Sequence, residues 1–257
     1  MTYSINGKPH DLKSLVKLSL TYYGAGVKSL FGLLLLFVIV KDCNLYYTQW
    51  ISNTFLLQTL NVLQWILMFS LWSVGYCHVD QVLNGGRRCY SSMKELAIKV
   101  FFVILFVLLA VVLLFVIAKI VWLAMKFFHH FFHQRAYAPI VFLSAVSFPL
   151  AYVVTRQIFT VPIIMVNNEN MFEATQHSAE LVLNYLLRAF KVLVYGGFIF
   201  LISEQSTYHA HALVRYHLNI PVDFAVLLIT LPGFYLVSLL LMDDLQYRSD
   251  LIENAVE

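Results

Sequence analysis

The segment from Val100 to Met125 constrains this chain more than any other. It reads VFFVILFVLLAVVLLFVIAKIVWLAM, with Lys119 as its only charge. A run of that length, apolar on every helical face, matches the hydrocarbon thickness of a bilayer. It has no counterpart in an ordinary soluble helix, which is apolar along one stripe. Similar runs recur along the chain, so the residues predict an all-α integral membrane protein. Composition agrees: 60% of the 257 residues are hydrophobic and 12% charged, whereas soluble proteins carry about a quarter charged. The length leaves room for about six spans and short loops, and for no separate soluble domain of ordinary size.

The apolar runs place six transmembrane helices at roughly 27–44, 55–79, 100–125, 139–156, 185–202 and 222–242 of a single membrane domain, residues 1–257. Two amphipathic stretches precede the first and fifth spans. In 11–23, Leu12, Leu15, Val16 and Leu20 recur at helical spacing with Lys13 and Lys17 on another face. In 170–183, Phe172, Ala179 and Val182 fall near one face and Glu173, Gln176, His177 and Glu180 near the other. Both are expected as helices lying in the membrane interface. Asn170 and Glu173 stand at the spacing of a capping box, which starts the second of them. Residues 139–166 as one straight helix would measure about 42 Å, longer than the ~30 Å hydrocarbon core. A break is therefore expected near Arg156–Pro162, with the tail of the segment along the interface. The stretch from Asp243 is acidic and is expected to fray.

Charge sets orientation. The net charge of +3 is small, and in a membrane chain it is no argument for nucleic acid. With the N-terminus inside, the inner segments carry Lys8, Lys13, Lys17, Lys28, Arg87, Arg88, Lys94, Lys99, Arg156, Arg188, Lys191 and Arg248. The outer ones carry Lys41, Lys119, Lys126, Arg135 and Arg215. Twelve against five, counted from those names, predicts both termini in the cytoplasm. No cleavable signal peptide is legible, so the first span is expected to serve as an uncleaved anchor. Cys43, Cys77 and Cys89 form no CxxC pair. An odd, scattered set of cysteines predicts neither a disulfide framework nor a thiolate metal site.

Few residues carry chemistry. His129 and His133 are four apart, where imidazoles on one helix can share a metal, and His209 and His211 lie in the other outward loop. These four are the candidates for a bound metal ion; no other cofactor is expected. The plainer reading takes precedence: histidine, like the aromatic residues around it, suits the membrane interface. Gln58, Asn61 and Gln64 put amides three residues apart along the second span. They suit either a cavity wall or hydrogen bonds between packed helices, and the second is the commoner use. No acidic residue falls in mid-membrane, and the chain holds neither an HExxH, a P-loop nor a GxSxG pattern.

The stretch VPIIMVNNENMFEATQHSAELVLNY (161–185) resembles a signature segment of a broad superfamily of six-span bacterial inner-membrane proteins. That superfamily includes the membrane domain attached to some glycerophosphodiester phosphodiesterases. Pro162, Ala174, Ser178, Leu181 and Asn184 carry the likeness. The polar break here is Asn167-Asn-Glu-Asn170, where those families usually have a glycine, and no phosphodiesterase domain is present. The resemblance implies the architecture and a bacterial inner (cytoplasmic) membrane, not hydrolysis. With no catalytic motif, the chain is expected to act without catalysing a reaction, in envelope or lipid homeostasis or as a subunit of a membrane complex. Membrane lipids, other membrane subunits or further copies of the chain are the expected partners. A transporter or channel for a small solute or metal ion, and a metalloenzyme built on the outward histidines, are the alternatives.

Overall fold

The computed structural model describes residues 10–84, 90–131, 149–183, 185–195, 198 and 219–256. All regular structure among them is helical: α1 (Leu12–Trp50), α2 (Thr54–Leu83), α3 (Met93–Phe131), α4 (149–156), α5 (Thr160–Asn167), α6 (Met171–Leu183), α7 (186–195) and α8 (Asn219–Val256). Five segments of the described residues are long and apolar enough to cross a membrane: Lys13–Lys41, Thr54–Leu83, Met93–Ala124, Pro149–Asn167 and Phe224–Leu251. The expected span at 185–202 lies partly outside the described residues, where α7 covers its first part.

The amphipathic stretch 11–23 does not form a separate interfacial helix. It runs without a break into the first span as α1, 39 residues long. One register explains this. Leu15, Ser19, Gly26, Leu30, Leu34 and Val38 are all buried, a stripe spaced mostly by four that stays in phase through Gly24 and Gly26. The stripe packs mainly on α8 and α2. Asp11 starts the helix, its carboxylate accepting the Ser14 N–H at 3.0 Å.

The break in the fourth apolar segment falls where expected. Helix runs to Arg156, residues 157–159 form a turn, and α5 resumes at Thr160. Pro162 sits in the first turn of α5, where its missing N–H removes no helical bond. The segment after the break does not lie along a surface, however. Thr160, Val161, Pro162, Ile163, Ile164 and Met165 are all buried, with α2, α3 and α6 packed around them. A segment mostly apolar on every side lacks the polar face that an interfacial helix turns to water, and is suited to a core.

The acidic tail does not fray either. α8 continues to Val256, with Asp243 and Asp244 buried at 6% and 2% exposure. The α1 N-terminus, α7 and α8 meet there. Asp244 accepts the His10 N–H at 2.7 Å, the Arg248 Nε–H at 2.8 Å and an Arg188 Nη1–H at 3.3 Å. Both arginines also donate to the His10 carbonyl. A buried carboxylate is tolerable because cations surround it and its lone pairs are filled.

A further departure from expectation concerns the cysteines. Cys77 is disulfide-bonded, while Cys43 is a free thiol. The Cys77 sulfur lies 3.5 Å from the Met165 carbonyl oxygen, a contact rather than a donated bond, since a disulfide sulfur carries no proton. Cysteine spacing along a chain says little about which residues its turns bring together.

Candidate functional site

The helices close tightly at one end of the bundle and separate towards the other. The tight end is polar. Ser92 caps α3 by accepting the Glu95 N–H, and Glu95 accepts the Ser91 N–H and hydroxyl in return. Lys99, 3% exposed, extends from α3 to donate to the Met165 carbonyl at 2.9 Å. That oxygen belongs to the last turn of α5 and has no helical donor ahead of it, so the ammonium caps the helix where its dipole is negative. Asn168 closes the same end in the left-handed region, φ 64°. Asp80 on α2 is 2% exposed and accepts an Asn84 amide proton at 3.0 Å.

α6 begins with the capping box read from the sequence. Asn170 accepts the Phe172 and Glu173 N–H groups at 3.0 Å, and the Glu173 carboxylate accepts the Asn170 N–H at 3.3 Å. Its buried face is rotated from the expected one. Met171, Ala174, Ser178, Leu181 and Val182 are buried, whereas Phe172 is exposed. The reason lies in Ser178. Its hydroxyl donates to the Arg156 carbonyl at 2.7 Å and accepts the Phe159 N–H at 3.2 Å. These are the backbone groups that the turn at 157–159 leaves without helical partners. Serving them turns Ser178 inward and Phe172 out. Pro162, Ala174 and Ser178, three residues of the family-like segment, are thus the parts that make the bend and hold α6 against it. Asn184 lies outside the described residues.

Above this end the helices separate around a cavity of about 1500 Å³. Its wall takes Met68, Phe69 and Trp72 from α2, Phe106, Ala110 and Leu113 from α3, Val153 and Val154 from α4, and Leu231 and Phe234 from α8. Polar atoms enter at the ends: Lys41 and Gln64 at one, Gln157 and Thr175 at the other. Gln64 and Tyr76, both in the wall, are twelve residues apart on α2, so the cavity extends about 18 Å along the helix axis. Trp65, Leu109, Leu113, Leu114, Val153 and Val154 line it and are also among the exposed large side chains. The wall is therefore continuous with the apolar exterior. Below, Tyr76 and Tyr235 pack edge to face at 4.7 Å, and Tyr235 donates to the Trp72 carbonyl at 2.7 Å.

The amide stripe divides between two roles. Gln64 lines the cavity and donates to the Val40 and Lys41 carbonyls of α1 at 2.8 and 2.7 Å. Asn61 is half-buried and Gln58 exposed, and neither is in the wall. His129 falls within α3, and His133, His209 and His211 lie outside the described residues. Among the described residues no three histidines, cysteines or carboxylates gather into a set able to hold a metal ion.

The fold and site define a class: an all-α chain with several helices of membrane-crossing length around a side-opening apolar cavity. No protein-family model, curated protein or solved structure matches the chain.

Proposed function

We propose that this chain is a six-span protein of a bacterial inner membrane that accommodates a lipid acyl chain in its cavity and serves lipid or envelope homeostasis without catalysing a reaction. The cavity carries this reading. Its volume exceeds the roughly 300–1,000 Å³ of ordinary small-molecule sites. Its wall is almost wholly aliphatic and aromatic, and its axial length of about 18 Å approximates one leaflet of a ~30 Å hydrocarbon core. Its open side consists of residues that would face acyl chains in a bilayer. Among the described residues the polar groups of the wall are confined to its ends, which favours a lipid chain over a polar permeation path. The likeness of 161–185 to six-span inner-membrane proteins agrees with this assignment.

The test is lipid co-purification. Protein extracted in mild detergent and washed should retain bound lipid detectable by mass spectrometry. Ala110→Trp, which projects an indole into the cavity, should reduce the retained lipid severalfold while leaving the helical content unchanged. Wild-type protein that washes free of lipid as readily as the Trp variant would sink the proposal.

The basic residues favour a cytoplasmic polar end and cytoplasmic termini. The disulfide at Cys77, near that same end, favours the inverse orientation, because disulfides persist in oxidising compartments. A periplasmic-activity reporter fused after Glu257 decides between them: silence supports the first, activity the second.

A further inference from the structure

We propose that Arg156 holds the phosphate of an anionic phospholipid whose acyl chain occupies the cavity. This rests on the cavity reading above and names its ligand. Arg156 ends α4 beside the cavity: Val153, Val154 and Gln157 all line the wall, and Arg156 flanks them on the same turn of chain. The residue is half-buried. Its Nε is shut off from solvent with no hydrogen-bond partner, and no ion pair to it occurs among the described residues. Arg188 and Arg248, by contrast, are both satisfied by Asp244.

The guanidinium sits 5.6 Å from the centre of the Tyr152 ring. Tyr152 is one turn back and exposed, so the ring steadies the cation without neutralising it. An arginine with a sealed, unfilled donor lacks an acceptor, and its planar fork fits a phosphate with two parallel hydrogen bonds. The position suits a headgroup. Arg156 lies where α4 gives way to the turn, on the side of the cavity that carries Gln157 and Thr175. A chain in the cavity and a phosphate on Arg156 are therefore compatible with one molecule. A headgroup bearing its own ammonium gains less, since no carboxylate among the described residues pairs with Arg156 to receive that charge. The expected ligand is accordingly anionic, such as phosphatidylglycerol, rather than zwitterionic.

The full chain is reconstituted in nanodiscs of phosphatidylcholine mixed with phosphatidylglycerol, transferred to mild detergent and washed, and the retained lipids are counted by mass spectrometry. Wild-type protein should retain phosphatidylglycerol severalfold above its share of the bilayer, because phosphatidylcholine offers the same phosphate but brings an ammonium that the Arg156 charge repels. Arg156→Gln should retain as much total lipid with the headgroup ratio of the bulk, and Arg156→Lys should fall between. Retained lipid with no headgroup preference in wild type, or a preference unchanged in Arg156→Gln, overturns the role of Arg156 and leaves the cavity reading standing. Loss of all lipid from wild type overturns both. Displacement of phosphatidylglycerol by soluble glycerol phosphate overturns the lipid as ligand in favour of a free anion. Should the Gln variant fail to fold, wild-type enrichment and the Lys variant decide the matter.

Discussion

α8 buries half of its most apolar window and, at the polar end of the bundle, keeps two aspartates nearly sealed; α2 buries none of its window, and α3 exposes large apolar side chains from Leu108 to Leu123 on every face. Hydropathy does not order the packing: α8 is intermediate between α2 and α3 in mean hydropathy, yet it is the best buried of the three. What separates them is the supply of polar partners. Near the polar end each sharp feature has a dedicated group: Ser178 for the bend, Lys99 for the end of α5, Asp244 for the α1 N-terminus. Such bonds fix helices at definite distances. In the open region Gln64 bridges α2 to α1 through the Val40 and Lys41 carbonyls. Apolar contact does little to hold two helices together when lipid is equally apolar. A cavity is the expected result of leaving helices there with little reason to close.

The contrast can be broken from either side. The largest effect is expected for Asp244→Ala, which leaves Arg188 and Arg248 facing each other across an emptied site. Loss of one partner from such a buried cluster costs about 3–5 kcal/mol, read as a lower thermal midpoint in detergent. Next comes Gly75→Ala, where the added Cβ would lie 2.6 Å from the Tyr235 ring and hydroxyl. That ring is sealed and hydrogen-bonded, so overpacking should cost about 1–3 kcal/mol, with Tyr235→Phe restoring little. Gln64→Leu, in the open region, should cost only about 0.6 kcal/mol; a loss as large as that of Asp244→Ala would show that both ends are held alike.

The smallest effect concerns Asp11. Hydrogen bonding from the Ser14 hydroxyl and N–H, the latter donating to the carboxylate at 3.0 Å, holds its pKa below the usual value of 3.8. A depressed carboxylate stabilises the helix start above that value and loses the effect as pH falls through the lowered one. Amide exchange at the first turn of α1 should therefore quicken only at strongly acid pH, and Asp11→Ala should remove the pH dependence.

Much of this architecture was legible in the residues, and the misses share a cause. Hydropathy located the long apolar helices α1, α2, α3 and α8, because a helix of membrane-crossing length has to be apolar over most of that length. The start of α6 was legible because a capping box is local. The burial of Asp243 and Asp244 was not, because the partner that seals Asp244 stands 234 positions away at His10, and an acidic run read alone looks solvated. The inward turn of Ser178 depends on backbone groups 19 and 22 residues earlier. The cavity was invisible for a further reason: it is made of ordinary apolar side chains, and only the spacing of the helices sets them apart from a core.

Ser178 also implies an order of events during synthesis. The bend it supports is made before it: Arg156 and Phe159 leave the ribosome while the hydroxyl they need is still 19 residues or more behind. Until α6 arrives, an unbent path through residues 157–159 keeps those backbone groups bonded at lower cost, so the nascent segment should first form a straight helix and fold over only once its brace has been translated.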